Sequence, residues 1–360
     1  MARLVTRRFA VFVLLLLQLI LSRQCLADSE EEYPFDHEKR KMGASLLESL
    51  GWDPRLFFEQ PELIKACQAV REKSLPQLEE LQRAGIDWNL KGKDGVTVLL
   101  WALLANDLPI FKQLLAWGAD PNVPIHSKKT ILLSPLDYPI VDGESVFFLS
   151  VRMQRKSEWA AAALSAGGDV NFIQPISRSS VLGVMLQNPR IDRTVDMDCF
   201  RGMVQRGANL NYGDFNQRTP LMIAIFVDQF DAAVHLVECG ASVDCYDDSN
   251  WQAIHYLASF AAQNEKFFAD NPDARKEWDE SPEKKSFDQL VTLFRERGHS
   301  LVEARVDYER RFQLVDGLDY MIWRRRMRTE KDPCMPKSVK PSSPSADTPA
   351  GEAAKKDASR

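Results

Sequence analysis

The sequence predicts an all-α solenoid of about six helix-turn-helix units, with enlarged loops in two of them. Two observations carry that reading. The first is the stretch from Asp94 to Asn122: a turn, an apolar helix, a short polar break, a second helix and a Gly-Ala-Asp turn. Two short helices leave apolar faces uncovered, so such a unit needs neighbours of its own kind. The second is the recurrence of that turn. Gly85-Ile86-Asp87-Trp88-Asn89 returns from Gly118, Gly167, Gly207 and Gly240, with a degenerate copy from Gly298, at spacings of 33, 49, 40, 33 and 58 residues. Glycine ends a helix in the left-handed region without a Cβ clash, and the Asp or Asn after it bonds nearby backbone.

In chain order, residues 1–27 read as a targeting segment. Arg3, Arg7 and Arg8 precede an uncharged apolar run of 13 residues, Phe9 to Leu21, and Cys25 and Ala27 place small residues before a cleavage point. The run falls short of the roughly 20 residues a bilayer-spanning helix requires. A signal cleaved after Ala27 is therefore expected, with an uncleaved anchor as its rival. The net charge of −5 becomes −9 without Arg3, Arg7, Arg8 and Arg23. That balance argues against the basic face of a nucleic-acid binder. Five cysteines then remain: Cys67, Cys199, Cys239, Cys245 and Cys334. Their odd number and uneven spacing favour buried small side chains over a disulfide framework. Cys239 and Cys245 flank one turn and are the pair to check.

Residues 28–61 read as a flexible lead-in and N-terminal cap. Met42 to Leu50 suits a short helix there, and Leu56, Phe57 and Phe58 form an apolar plug for the first layer. The repeat domain spans 62–305 and begins with a helical pair, Leu63–Val70 and Leu75–Ala84. The third unit carries 16 extra residues from His126 to about Val141, an extended β-finger or a surface loop. The last carries about 25 extra, Asn264 to Phe287, highly charged, with helical runs at Glu265–Phe268 and Asp273–Trp278. Insertions of this kind map to binding faces or drift neutrally. Residues 306–330 are amphipathic, with Val306, Phe312, Leu314, Leu318, Met321 and Ile322 set to close the C-terminal end. Arg324 to Arg328 suit a helix C-terminus, or an acidic or phospholipid partner. Residues 331–360, rich in Pro, Ser, Ala and Lys without apolar periodicity, are expected to be disordered.

Thr97-Val98-Leu99-Leu100-Trp101-Ala102 and Thr219-Pro220-Leu221-Met222-Ile223-Ala224 each start an inner helix, and Ala253-Ile254-His255 keeps the end of the same motif. Asp142 to Phe147 is a looser version and Ser180-Val181-Leu182 the weakest. These residues resemble the ankyrin repeat, over about Glu62 to Arg305. The layout from Phe57-Phe58 to Gly95 is similar to a group of exported bacterial ankyrin proteins. The resemblance implies a non-enzymatic protein-binding module of the cell envelope, periplasmic and monomeric. Two uses come with it: an immunity-type inhibitor of a toxin or lipase effector, and a helper that stabilises an exported enzyme. Retention of the N-terminal segment would make the chain a membrane-anchored scaffold instead.

No catalytic grouping stands out. His37, His126, His235, His255 and His299 include no i, i+4 pair of a helical zinc site. Nucleophile elbow, phosphate-cradling loop and dinucleotide fingerprint are all missing, so neither cofactor nor metal is expected. By the motif, His255 bonds backbone between repeats. Trp88, Trp101 and Trp117 read as packing within and between units.

The turn tips and inner helices of an ankyrin array line its concave face. Mapping the motif gives Lys93, Asp94 and Val96 in the second unit and Glu144 in the third. Phe215, Asn216, Arg218 and Phe226 follow in the fifth, and Asp248, Ser249, Trp251 and Phe260 in the sixth. Aromatic residues around an arginine are the chemistry of interface hot spots. The competing expectation is that some of them fold inward against the insertion.

Overall fold

The computed structural model describes residues 53–126, 131–133, 138–153, 157–187 and 195–313. The expected signal segment, the Met42–Leu50 helix, the Arg324–Arg328 cluster and the C-terminal tail lie outside them.

The first unit opens with a 3-10 turn, Pro54–Leu56, followed by α1 (Pro61–Arg71) and α2 (Leu75–Arg83). The second pairs α3 (Val98–Ala105) with α4 (Leu108–Ala116), and the third α5 (Val146–Arg152) with α6 (Ser157–Ser165). The fourth pairs α7 (Val181–Gln187) with α8 (Met197–Gln205), and the fifth α9 (Pro220–Phe226) with α10 (Phe230–Glu238). The sixth holds α11 (Ala253–Asp270), α12 (Pro272–Asp279) and α13 (Pro282–Glu296), and α14 (Leu301–Gln313) then packs along α11.

The inner helices of the second to fourth units are almost entirely covered by their neighbours: all eight residues of α3 are buried, as are Val146–Val151 of α5 and Val181–Leu186 of α7. Those of the second to fifth units start on a hydroxyl cap, with Thr97, Ser145, Ser180 and Thr219 accepting the N–H three residues on. Gln252 replaces the hydroxyl in the sixth unit, and His255 compensates. Its Nδ1 accepts the Gln252 N–H at 3.1 Å, so Nε2 carries the proton and faces Asp307 at 3.1 Å. The outer helices are amphipathic, and arginines tie two of them to their predecessors: Arg206 donates to the Leu164 carbonyl and Arg297 to that of Val237.

Between units runs a ladder of asparagines. Asn89, Asn122 and Asn171 each donate Nδ2 to the carbonyl of the next turn glycine, at 3.0–3.1 Å. Each accepts a backbone N–H two residues past that glycine, at 2.7–2.8 Å. The glycine is needed at the far end: Gly118 sits at φ 92° and Gly207 at φ 82°. Asp244 breaks the pattern, since a carboxylate cannot donate. It instead receives Nε2 of His299 at 2.9 Å.

The tryptophans pack as expected. Trp101 is fully buried with Phe57 edge-on at 6.0 Å, and Trp88 stacks on Trp117 across two units at 5.6 Å. Leu56, by contrast, is 59% exposed and leaves the plug to Phe57 and Phe58. The third-unit insertion is a finger: β1 (Ile131–Leu133) pairs antiparallel with β2 (Tyr138–Ile140), Leu132 opposite Pro139. The sixth-unit insertion holds the two expected helical runs, Glu265–Phe268 within α11 and Asp273–Trp278 within α12. It lengthens α11, forms α12 and starts α13, with Phe267, Phe268, Trp278 and Phe287 gathered beside Phe260 and Phe230 of α10. Val306 does not close the C-terminal end; it is 63% exposed, and Ala304 and Tyr308 face inward. Cys239 and Cys245 do not pair, for Cys239 is free and Cys245 is bonded elsewhere.

Candidate functional site

Each turn tip of the later units is built around one side chain. In the fifth, Asp214 Oδ1 accepts the N–H groups of Asn216 and Arg218 at 2.8 and 2.9 Å, and Oδ2 takes the Arg218 guanidinium at 2.9 Å. In the sixth, Asp247 Oδ1 accepts from Ser249 and Trp251 at 2.8 and 2.9 Å, and Oδ2 from the Tyr256 hydroxyl at 2.5 Å. One oxygen closes the turn and the other fixes a side chain of the face. Gln174 does the first task in the fourth unit, accepting from Ile176 and Ser177. Burial lifts the Asp247 carboxyl above its usual range, against hydrogen bonds from Tyr256, Trp251 and Ser249. Burial, and then the Asp247 charge, hold the Tyr256 phenol protonated far above its usual range.

On this frame lies a run of rings. Phe226 and Trp251 stand edge-on to Tyr256 at 6.0 and 5.6 Å, and Trp251 edge-on to Tyr308 of α14 at 5.7 Å. The Arg218 guanidinium sits 5.8 Å from the centre of the Phe226 ring, its charge already matched by Asp214. Phe215 is 68% and Phe226 44% exposed, the two aromatics among the large apolar side chains exposed in the described residues. The Asp248 N–H donates to the Asn216 carbonyl at 2.9 Å and locks the two tips together.

Phe215, Asn216, Arg218, Phe226, Asp248, Ser249 and Trp251 are thus brought together on adjoining units. Lys93 and Asp94 stand on the second unit's tip, with the third and fourth units in between. Asp94, at φ 59°, spends its carbonyl on the His126 N–H at 3.0 Å. Three expected residues are corrected. Val96, just before the Thr97 cap, faces the core with no exposure. Glu144 is 1% exposed; its Oε2 accepts from Val141 N–H at 3.0 Å and Arg152 at 2.8 Å, at the base of the finger. Desolvation pushes its carboxyl up to about 7, outweighing the downward pull of Arg152 and Val141. Phe260 turns to the insertion and meets Phe230 at 4.8 Å and Trp278 at 5.5 Å.

Four contributors were missed. Ile176, 61% exposed, is the fourth unit's tip, while Asp214, Asp247 and Tyr256 form the frame. The 33-residue spacing of Asp214 and Asp247 was the available signal; the fourth unit's tip carries an extra residue before its cap and escaped the phase.

Fold and turn chemistry together define a stack of helix-turn-helix repeats with a rigid, partly aromatic face. The chain carries an ankyrin repeat: residues 216–248 match that family's model, and the inner helices of the second to fourth units start on the same hydroxyl cap as the fifth. An ankyrin stack is a protein–protein interaction module. The chain is also 26% identical over 211 residues to the Danio rerio protein bearing the name of palmitoyltransferase ZDHHC13, a match covering 54% of this chain. It spans about a third of that relative, 32% of its length. Among solved structures it is similar to an ankyrin repeat domain from Acinetobacter baumannii AYE (TM-score 0.46, 14% identity, covering 63% of this chain and 96% of that one). It is likewise similar to the ankyrin repeat domain of Bcl-3 (TM-score 0.41, 19% identity, covering 55% and 80%).

Proposed function

We propose that the chain is a non-enzymatic recognition module which binds one partner protein through Phe215, Arg218, Phe226 and Trp251, with Ile176 at the margin. The observation that carries this reading is the exposure of Phe215 and Phe226 on a unit whose turn is fully hydrogen-bonded. Exposed rings on a fixed frame bind without first being ordered, which is the main entropic saving of a preorganised face. Asp214 Oδ2 accepts from Nε and Nη2 of Arg218, so that side chain is already ordered on the face. The proposal includes export by the N-terminal segment, with the partner met in the cell envelope. Inhibition of a toxin or lipase effector and support of an exported enzyme are two uses of the same face, and both rest on the likeness to exported ankyrin proteins.

The test is capture from envelope extract by the wild type and by a Phe215→Ala, Phe226→Ala double variant. Both side chains are surface-exposed, so the variant is expected to melt within a few degrees of wild type. Capture should fall at least tenfold. Undiminished capture by the folded variant would remove this face from consideration.

A further inference from the structure

The last turn of α10 carries two metal-ligating side chains on one face. His235 and Cys239 stand four residues apart, and the Cys239 N–H donates to the His235 carbonyl at 3.0 Å, so the turn is closed and sets one side chain above the other. The Cys239 thiol is free and exposed, and its Sγ lies 3.7 Å from Nε2 of His235. We propose that this pair chelates a thiophilic divalent cation of the zinc type.

The distance carries the proposal. A tetrahedral Zn²⁺ with bonds of about 2.3 Å to sulfur and about 2.0 Å to nitrogen holds the two atoms about 3.6 Å apart. The turn thus presents both ligands at the spacing the ion needs, and little ordering is left to binding. Phe200 of α8 stands edge-on to the imidazole at 6.2 Å and braces its ring. The helix C-terminus contributes negative partial charge, and Glu238 adds a carboxylate on the same turn, held by Gln289 of α13 at 2.8 Å. Arg297, donating to the Val237 carbonyl at 3.1 Å, is the opposing charge.

Among the described residues no group of three or more His, Cys, Asp and Glu forms a metal cluster. The site is therefore a chelate of two protein ligands, completed by water. Such a site is open and exchangeable, unlike the closed four-ligand centre that holds a fold together. On binding, the S–H bond of Cys239 breaks as the S–Zn bond forms, and its proton passes to the buffer. Nε2 of His235 gives its lone pair while Nδ1 keeps the ring proton. A search for paired histidines passes over this site because one ligand is a cysteine.

The test uses the full 360-residue chain in metal-free buffer under nitrogen. Saturating Zn²⁺ should slow alkylation of Cys239 by iodoacetamide, read by peptide mass spectrometry, because the bound sulfur has lost its free lone pair. Co²⁺ should give a thiolate-to-cobalt absorption that falls in Cys239→Ser. His235→Ala should weaken Co²⁺ binding about a hundredfold, the gain of holding two ligands on one turn. Alkylation of Cys239 indifferent to Zn²⁺, a cobalt spectrum undiminished in Cys239→Ser, or equal affinity in His235→Ala would each overturn the proposal. Should a variant aggregate, alkylation of the wild type still decides.

Discussion

Asn122 sits between two turns, donating to the Gly167 carbonyl at 3.0 Å and accepting the Asp169 N–H at 2.7 Å. No other residue type of that size offers both a donor and an acceptor in one plane, which is why the amide recurs at Asn89 and Asn171. Asn122→Ala is expected to cost about 1–2 kcal/mol, read as a lower urea midpoint with an unchanged slope. Asp in its place should cost as much, because the donor is lost. At Glu144 the argument concerns protons. Its carboxyl is raised from 4.5 to about 7 in the folded chain, so folding favours the protonated form between those values. Its contribution is then fully present below about pH 4.5 and lost as pH rises through 7. Urea unfolding from pH 5 to 7.5 should show a loss on the order of 3 kcal/mol that Glu144→Gln flattens. A rise in stability over that interval would mean that the Arg152 pair dominates.

At the scale of the element, the sixth-unit insertion shows how far periodicity reaches. Its helical runs were readable from Glu265–Phe268 and Asp273–Trp278, and α11 and α12 contain both. What the helices pack against was not readable, because an apolar stripe names a buried face without naming its neighbour. Phe260 makes the point. Position in the motif placed it on the binding face, but Phe230, Trp278 and Phe287 offered it a dry aromatic cluster instead. Trp278→Ala should therefore loosen α12 and the adjoining end of α13. Hydrogen exchange there is expected to speed at least tenfold, with the second and third units unchanged. Uniform acceleration along the chain would show that the insertion is not a separate layer.

At the scale of the molecule, stacked units touch only their neighbours, so damage to one is shared with two others and no more. Trp101 has no exposure and packs on Phe57 of the preceding unit. Trp101→Ala is expected to cost about 3–5 kcal/mol. The loss should split unfolding into two phases, the first units melting ahead of the fifth and sixth. Circular dichroism set beside Trp251 fluorescence would separate them, and coincident curves would argue for one cooperative block. The same architecture explains the face. Phe215, at a turn tip, and Phe226, at the end of α9, stay exposed because a one-dimensional stack has no second layer to cover them.

The sequence by itself determined the phase: turn glycines with the Asp or Asn after them, the Thr that start the inner helices and the apolar runs that follow are local chemistry, and local chemistry repeats visibly. Only the tertiary structure decided direction. Val96 and Glu144 went inward, Phe260 turned to the insertion, and Tyr256 joined Asp247 beneath Trp251. The reason is physical. A repeat motif specifies which positions are equivalent, while burial depends on what the neighbouring unit and the insertions bring against them.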